Sequence, residues 1–158
     1  MAVGVSVFFS YRREMLARHS NTLPVLVNFF SDHRSDRLAE ARDFVYKDLS
    51  KYDLSQGLAA LPEDKQKLVR ELAWFYDNLG ALVTHNVVDV EPVSGYLGVS
   101  VVLSWEKLEP LVQAERAMRT PSGVDPKRWQ AYFENLYHLV RETPPPKARA
   151  AQPRWRLR

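Results

Sequence analysis

Hydrophobic positions recur every three and four residues along most of the chain, which is the period of amphipathic helices. The pattern is clearest in residues 62–86, where Pro62 and two acidic residues precede the repeat, as at the start of a helix. The sequence therefore predicts a long helix here, with Leu72, Phe75 and Leu79 buried. The repeating positions are Leu68, Leu72, Phe75, Leu79 and Leu82.

Several neighbouring features predict how this helix packs and where other helices begin. Trp74, Tyr76 and Val83 widen its apolar face, and Gly80 predicts a close approach by another backbone. Ser31 or Ser35 could cap an earlier helix, and Asp125-Pro126 predicts the start of the last one. The stripes of these two helices are Leu38, Ala41, Val45 and Leu49, and then Trp129, Tyr132, Phe133, Leu136, Leu139 and Val140.

Residues 93–104 fit two patterns. Apolar residues alternate from Leu97 to Leu103 as in a half-buried strand, but Val93, Leu97 and Val101 have helical spacing. A helix is favoured, because a single strand without a partner leaves its backbone hydrogen bonds unmade. A separate helix is expected from Trp105 to Met118, bent or divided at Pro110.

The fold class that follows is all-α, a compact bundle of about five to six helices. The length of 158 residues suits one domain, and 46% hydrophobic with 26% charged residues is typical of a globular protein. Residues 1–19 are expected to form an N-terminal apolar segment and helix, residues 20–143 the helical domain, and residues 144–158 a disordered Pro/Arg-rich tail. The chain has no cysteine, which excludes disulfides and thiolate chemistry.

Positive charge is concentrated in the tail. The net charge is +3, but residues 144–158 hold five cations and no acid, which leaves 17 cations against 19 acids in residues 1–143. The body is therefore slightly acidic, and a partner or lipid contact is expected at the two ends. The residues predicted to make it are Arg12, Arg13, Lys147, Arg149, Arg154, Trp155, Arg156 and Arg158.

The apolar run from Met1 to Phe9 is too short to cross a bilayer as a helix. It fits a first helix or strand packed on the domain. It also fits the cytoplasmic end of a membrane segment, because aromatic residues and then arginines follow it. An independent membrane anchor is a third interpretation.

Candidate chemistry is sparse. Asp32, His33, Asp36 and Glu40 are the densest group of possible metal ligands, but the intervening arginines favour a solvated capping and ion-pair region. The pairs Glu134 with His138 and His85 with Asp89 could each orient a base, but no nucleophile motif accompanies them. The sequence predicts no catalytic residue, no metal, no cofactor and no enzyme.

Eight aromatic residues lie at helical spacing and are expected in the core, with a partner groove as the alternative. They are Trp74, Phe75, Tyr76, Trp105, Trp129, Tyr132, Phe133 and Tyr137.

The order of several segments resembles the bacterial family known as domain of unknown function 4760, over about residues 5–140. The resemblance implies a helical region that follows a membrane helix, and it brings no activity and no catalytic residue with it. The segments are Arg37 to Tyr46, Phe75 to His85, Val88 to Val90, Gly98 to Trp105, Glu115-Arg116 and Tyr132 to Leu136.

Two functions remain open. The first is a non-enzymatic helical interaction or regulatory module in the cytoplasm, held near the inner face of the cell membrane, whose ends contact an unknown protein partner or anionic lipid. The alternative is a nucleic-acid-associated protein that binds through its tail, where Trp155 could stack on bases. The acidic body makes nucleic acid the less favoured partner, and a homo-oligomer is possible.

Overall fold

Five α-helices contain most of the residues that the computed structural model describes, which are 22–119, 123 and 125–143. No strand occurs within these ranges, so the predicted all-α bundle is confirmed. Short 3-10 helices lie at Leu49–Lys51, Leu54–Ala60 and Pro126–Arg128. The α-helices are α1 (22–33), α2 (Asp36–Lys47), α3 (Glu63–Thr84), α4 (Val90–Arg119) and α5 (Ala131–Glu142).

Helix α2 begins as the sequence predicts. Ser35 is its N-cap, and the Ser35 hydroxyl accepts a hydrogen bond from the Leu38 amide at 3.4 Å. Asp36 lies in the first turn and Lys47 in the last, which complements the helix dipole. The predicted stripe from Leu38 to Leu49 is buried against the core.

Helix α3 lies at the centre and packs against α2 and α5. Leu72, Phe75 and Leu79 are buried as predicted. The prediction that Trp74 lies in the core is wrong, because its side chain is 58% exposed on a face of α3 that borders an open pocket. Tyr132 is also partly exposed.

Residues 93–104 are helical, which confirms the preferred interpretation. The expected separation from a second helix at Trp105 is wrong, because α4 continues without a break for 30 residues. A buried stripe from Val93 through Val101 to Leu108 packs along its whole length, and this packing outweighs the hydrogen bond that Pro110 cannot make. Pro110 itself lies on the exposed side.

The last helix begins later than predicted. Asp125 caps only the 3-10 turn that follows it, accepting a hydrogen bond from the Lys127 amide at 3.0 Å. Helix α5 then starts at Ala131, after Gln130 in the left-handed conformation. Its free amide at Phe133 donates to Asp77 of α3 at 3.0 Å, so the cap comes from a distant part of the chain.

The predicted close approach at Gly80 is confirmed. A methyl group at this position would overlap the backbone carbonyl of Tyr132, which shows that the α5 backbone rests directly on α3. Gly95 on α4 is the opposite case, because it is exposed and a methyl group there would meet nothing within 4 Å.

These two glycines make a matched pair of tests. We expect Gly80→Ala to lower the free energy of unfolding by about 3 kcal/mol or more, since α5 must move away from α3. Gly95→Ala should raise it by about 1 kcal/mol, because alanine is the better helix former. Urea unfolding of both variants measures the difference, and a Gly80→Ala protein as stable as the parent would contradict the close approach.

Candidate interaction surface

An exposed row of apolar side chains runs along α1 and α4. Its members are 43–72% exposed, and we call them the apolar stripe. On α1 they are spaced by four residues, and on α4 by three and four, so each set lies on one side of its helix. The stripe consists of Leu23, Val27, Tyr96, Val99 and Leu103.

Two contacts join the helices that carry the stripe. The rings of Phe30 on α1 and Tyr96 on α4 have their centroids 4.3 Å apart. Three residues further along α1, the Nε2 atom of His33 lies 3.0 Å from the Ser100 hydroxyl. The first turns of α4 therefore run beside α1, and the two halves of the stripe meet where Phe30, three residues after Val27, contacts Tyr96.

A cluster of hydrogen-bonded hydroxyl groups lies at the junction between α1 and α4. Ser100 lies at its centre, with its hydroxyl 2.6 Å from the Tyr76 hydroxyl and 3.0 Å from the Tyr46 hydroxyl. Tyr46 also lies 3.0 Å from the Ser104 hydroxyl, and Tyr76 lies 3.3 Å from Nε2 of His33. We call these five residues the hydroxyl cluster, and it connects α1, α2, α3 and α4 through satisfied polar groups.

Two groups of the hydroxyl cluster, His33 and Tyr76, stay neutral over a wide pH range. Burial, with a smaller effect from the positive charge of Arg42, lowers the pKa of His33 from 6.5 to about 4. Burial also raises the pKa of Tyr76 to about 12. Near pH 7 His33 and Tyr76 therefore offer hydrogen bonds and no charge, which suits a structural junction better than acid–base chemistry.

We expect the lowered pKa of His33 to appear as a loss of stability in acid. Between about pH 6.5 and pH 4 the unfolded chain binds a proton at His33 and the folded chain does not, so stability falls as the pH falls. His33→Gln should reduce the difference between the Tm values at pH 7 and pH 5. His138→Gln, at an exposed position on α5, is the matched control.

Thermal melts of the three proteins across this pH range measure the effect. If the parent and His33→Gln lose stability equally between pH 7 and pH 5, the burial of a neutral imidazole at this junction is wrong.

The two histidine–carboxylate pairs that the sequence offered as oriented catalytic bases are not formed. The Nε2 atom of His85 lies 3.0 Å from the Tyr132 hydroxyl, not beside Asp89. Glu134 forms an ion pair with Arg116 at 2.9 Å. Both contacts join α5 to a neighbouring element, His85 at the end of α3 and Arg116 on α4.

The predicted ligand-like group is divided by the fold. Asp32, Asp36 and Glu40 are exposed, as expected for a solvated capping region. His33 does not fit that interpretation, because it is half-buried and joins the hydroxyl cluster. Among the residues placed by the structure, no group of three or more His, Asp or Glu is arranged to hold a metal ion.

The residues predicted to contact lipid or a partner all lie outside the described ranges, as do the N-terminal apolar segment and the tail. The structure therefore places none of them: Arg12, Arg13, Lys147, Arg149, Arg154, Trp155, Arg156 and Arg158. None of the helices that the structure does describe is both long enough and apolar enough to cross a bilayer.

Sequence reasoning missed the apolar stripe, although a signal for it was present. In residues 97–103 a helix must place Leu97 and Val101 on one side and Val99 and Leu103 on another. The strand-like alternation therefore indicated a helix that has apolar residues on both its buried and its exposed side.

Residues 1–143 match the model of the family described as Domain of unknown function (DUF4760). The chain belongs to this family. The match confirms the resemblance seen in the sequence, and the DUF4760 region ends where the Pro/Arg-rich segment begins. No curated protein and no solved structure matches the chain.

Proposed function

We propose that this DUF4760 protein is a non-enzymatic interaction or regulatory module that works at the cytoplasmic face of a membrane. In this proposal the arginine-rich ends contact anionic lipid, and the apolar stripe binds a helix of a membrane-associated protein partner. The bundle serves to hold the stripe in a fixed shape between the two attachments.

The exposed apolar stripe is the observation that carries the proposal. Contiguous apolar surface rimmed by polar residues is typical of interaction sites. Ridges on two adjacent helices can receive the apolar face of a third helix, with anchors at intervals of three and four residues.

The charges beside the stripe favour a protein over a bilayer as its occupant. The exposed side of α4 carries Glu91 and Glu106 as well as Lys107. A helix that lies in an anionic membrane surface is typically rich in lysine and arginine instead. The lipid contact is therefore assigned to the ends of the chain.

Two observations support a non-enzymatic role. His33 and Tyr76 of the hydroxyl cluster are neutral near pH 7, and the cluster joins four helices. The sequence pairs that could have oriented a base are engaged elsewhere, His85 with Tyr132 and Glu134 with Arg116.

The lipid contact is tested by deleting residues 144–158. Each Lys or Arg near an anionic surface contributes about 1 kcal/mol, so the five cations of this segment should give weak and salt-sensitive binding. We expect the deletion to leave the Tm unchanged and to remove binding to vesicles that contain anionic lipid. Co-sedimentation at low and high salt measures this.

Neutral vesicles serve as the control and should bind neither form. Equal binding to anionic vesicles with and without residues 144–158 would contradict the lipid contact. If the segment instead gives tight binding to a single-stranded oligonucleotide in the same salt, the nucleic-acid alternative takes its place.

The stripe is tested by placing a photo-crosslinking benzoylphenylalanine at position 99 or at position 113 in the native cell. Val99 belongs to the stripe, and Gln113 is an exposed polar residue on the same helix. We expect one crosslinked product of defined mass from position 99 and none from position 113. Leu103→Asp should abolish the product, because a charge in an apolar contact loses its hydration.

Leu103→Asp should still bind anionic vesicles, since the stripe does not make the lipid contact. A variant that loses vesicle binding would assign the stripe to the bilayer. A crosslinked product with twice the mass of the chain would identify the partner as a second copy. Equal crosslinking from both positions would contradict a specific interaction at the stripe.

A further inference from the structure

A pocket opens between α1, α2 and α3, on the side of α1 away from the apolar stripe. Its volume is about 590 Å³, and Phe29 on α1 faces it while the adjacent Phe30 faces α4. Three aromatic rings and two carboxylates are prominent in its wall. The aromatic and charged residues of this wall are Phe29, Asp32, Arg37, Glu71, Trp74 and Phe75.

The carboxylate of Glu71 is only half satisfied. Its Oε1 atom accepts a hydrogen bond from Nη1 of Arg37 at 3.2 Å, and the Arg37 side chain is otherwise largely exposed. Its Oε2 atom is buried and accepts no hydrogen bond from any residue that the structure places. A buried acceptor of this kind is costly to leave unpaired, so Glu71 gains from a donor in the pocket to which its carboxylate can turn.

The aromatic wall favours a cation as that donor. Trp74 is 58% exposed at the pocket, and the rings of Phe29 and Phe75 lie 5.5 Å apart beside it. The faces of aromatic rings attract ammonium and guanidinium groups, and the Trp face does so most strongly. The two carboxylates of Asp32 and Glu71 outnumber the one cation of this wall, Arg37, so the wall has a net negative charge that disfavours an anion.

We propose that this pocket binds a small organic cation that carries an ammonium or guanidinium group. The Glu71 side chain is 30% exposed, so its carboxylate turns Oε2, which is covered in the free protein, to accept an N–H of the cation. The Trp74 ring contacts the charged head of the cation or its apolar stem. The site shares no residue with the stripe or with the arginine-rich ends, so it stands independently of the proposed function.

The test titrates the full chain with agmatine, which carries both a guanidinium and an ammonium group, by calorimetry and by NMR. We expect agmatine to bind, and tetramethylammonium to bind about tenfold more weakly because it has no N–H to donate. Acetate should not bind. If acetate binds at these residues, or if agmatine does not bind, the proposal is wrong.

Three substitutions in the pocket have different expected effects. Glu71→Gln should weaken agmatine binding by about tenfold, and Trp74→Ala by about fivefold. Arg37→Gln should tighten it, because a competing positive charge is removed and Oε1 of Glu71 is released. Glu106→Gln, an exposed carboxylate on α4, is the matched control and should change nothing.

Glu71→Gln is expected to weaken agmatine binding and Arg37→Gln to tighten it, and these opposite effects distinguish a binding role from a structural one. Damage to the fold can weaken binding, but it does not strengthen it. Trp74 and Arg37 are exposed, so their replacement should leave the Tm unchanged even if Glu71→Gln melts early. Equal agmatine affinity in the parent, Trp74→Ala and Arg37→Gln would overturn the proposal.

Discussion

The close approach of α5 to α3 at Gly80 is the constraint on which the arrangement of the bundle depends. Without a side chain at Gly80, the α5 backbone reaches the surface of α3, and Asp77 can then satisfy the free amide of Phe133. This contact places the Phe133 ring against Tyr76, with their centroids 4.9 Å apart, and against Trp105 at 5.0 Å. One glycine thereby fixes the relation of α3, α4 and α5.

Tyr76 connects the contact between α3 and α5 to helices α1 and α4. Its ring packs under Phe133, and its hydroxyl reaches Ser100 and His33. An apolar contact could be made in several registers, but hydroxyl groups in a buried cluster are satisfied only when their partners lie at hydrogen-bond distance. The hydroxyl cluster therefore fixes where α1 lies on α4.

The position of α1 in turn creates both surfaces that this structure offers to other molecules. One side of α1 continues the row of Tyr96, Val99 and Leu103, and the other side closes the pocket beside Trp74. A displaced α1 would separate the two halves of the stripe and open the pocket wall at Phe29. Both surfaces are thus consequences of the polar junction that the hydroxyl cluster forms.

The structural features that depend on residues close together in sequence could be predicted from local patterns. The spacing along α3, the Ser35 cap and the close approach at Gly80 could all be read from short windows of sequence. Features that depend on distant residues could not. The cap supplied to α5 by Asp77 is 56 residues away in sequence, and the hydroxyl cluster joins residues from four helices.

The periodicity of the sequence also could not predict which apolar side chains are exposed. Trp74 follows the same apolar pattern as its buried neighbours, but the elements around it leave that side of α3 open. Val99 and Leu103 belong to the alternation that resembles a half-buried strand, but they are exposed because α4 is covered on its other side. Which apolar residues stay exposed is decided by where the other helices lie.

The distribution of charge indicates which part of the chain would face an anionic membrane in the proposed function. Residues 1–143 carry a net charge of −2, so an anionic surface repels the body while it attracts the five cations of residues 144–158. Binding through the ends would then hold the bundle beside the lipid without burying it there. The apolar stripe would remain free for a protein partner, and attachment at one membrane would raise the local concentration of that partner without any new contact.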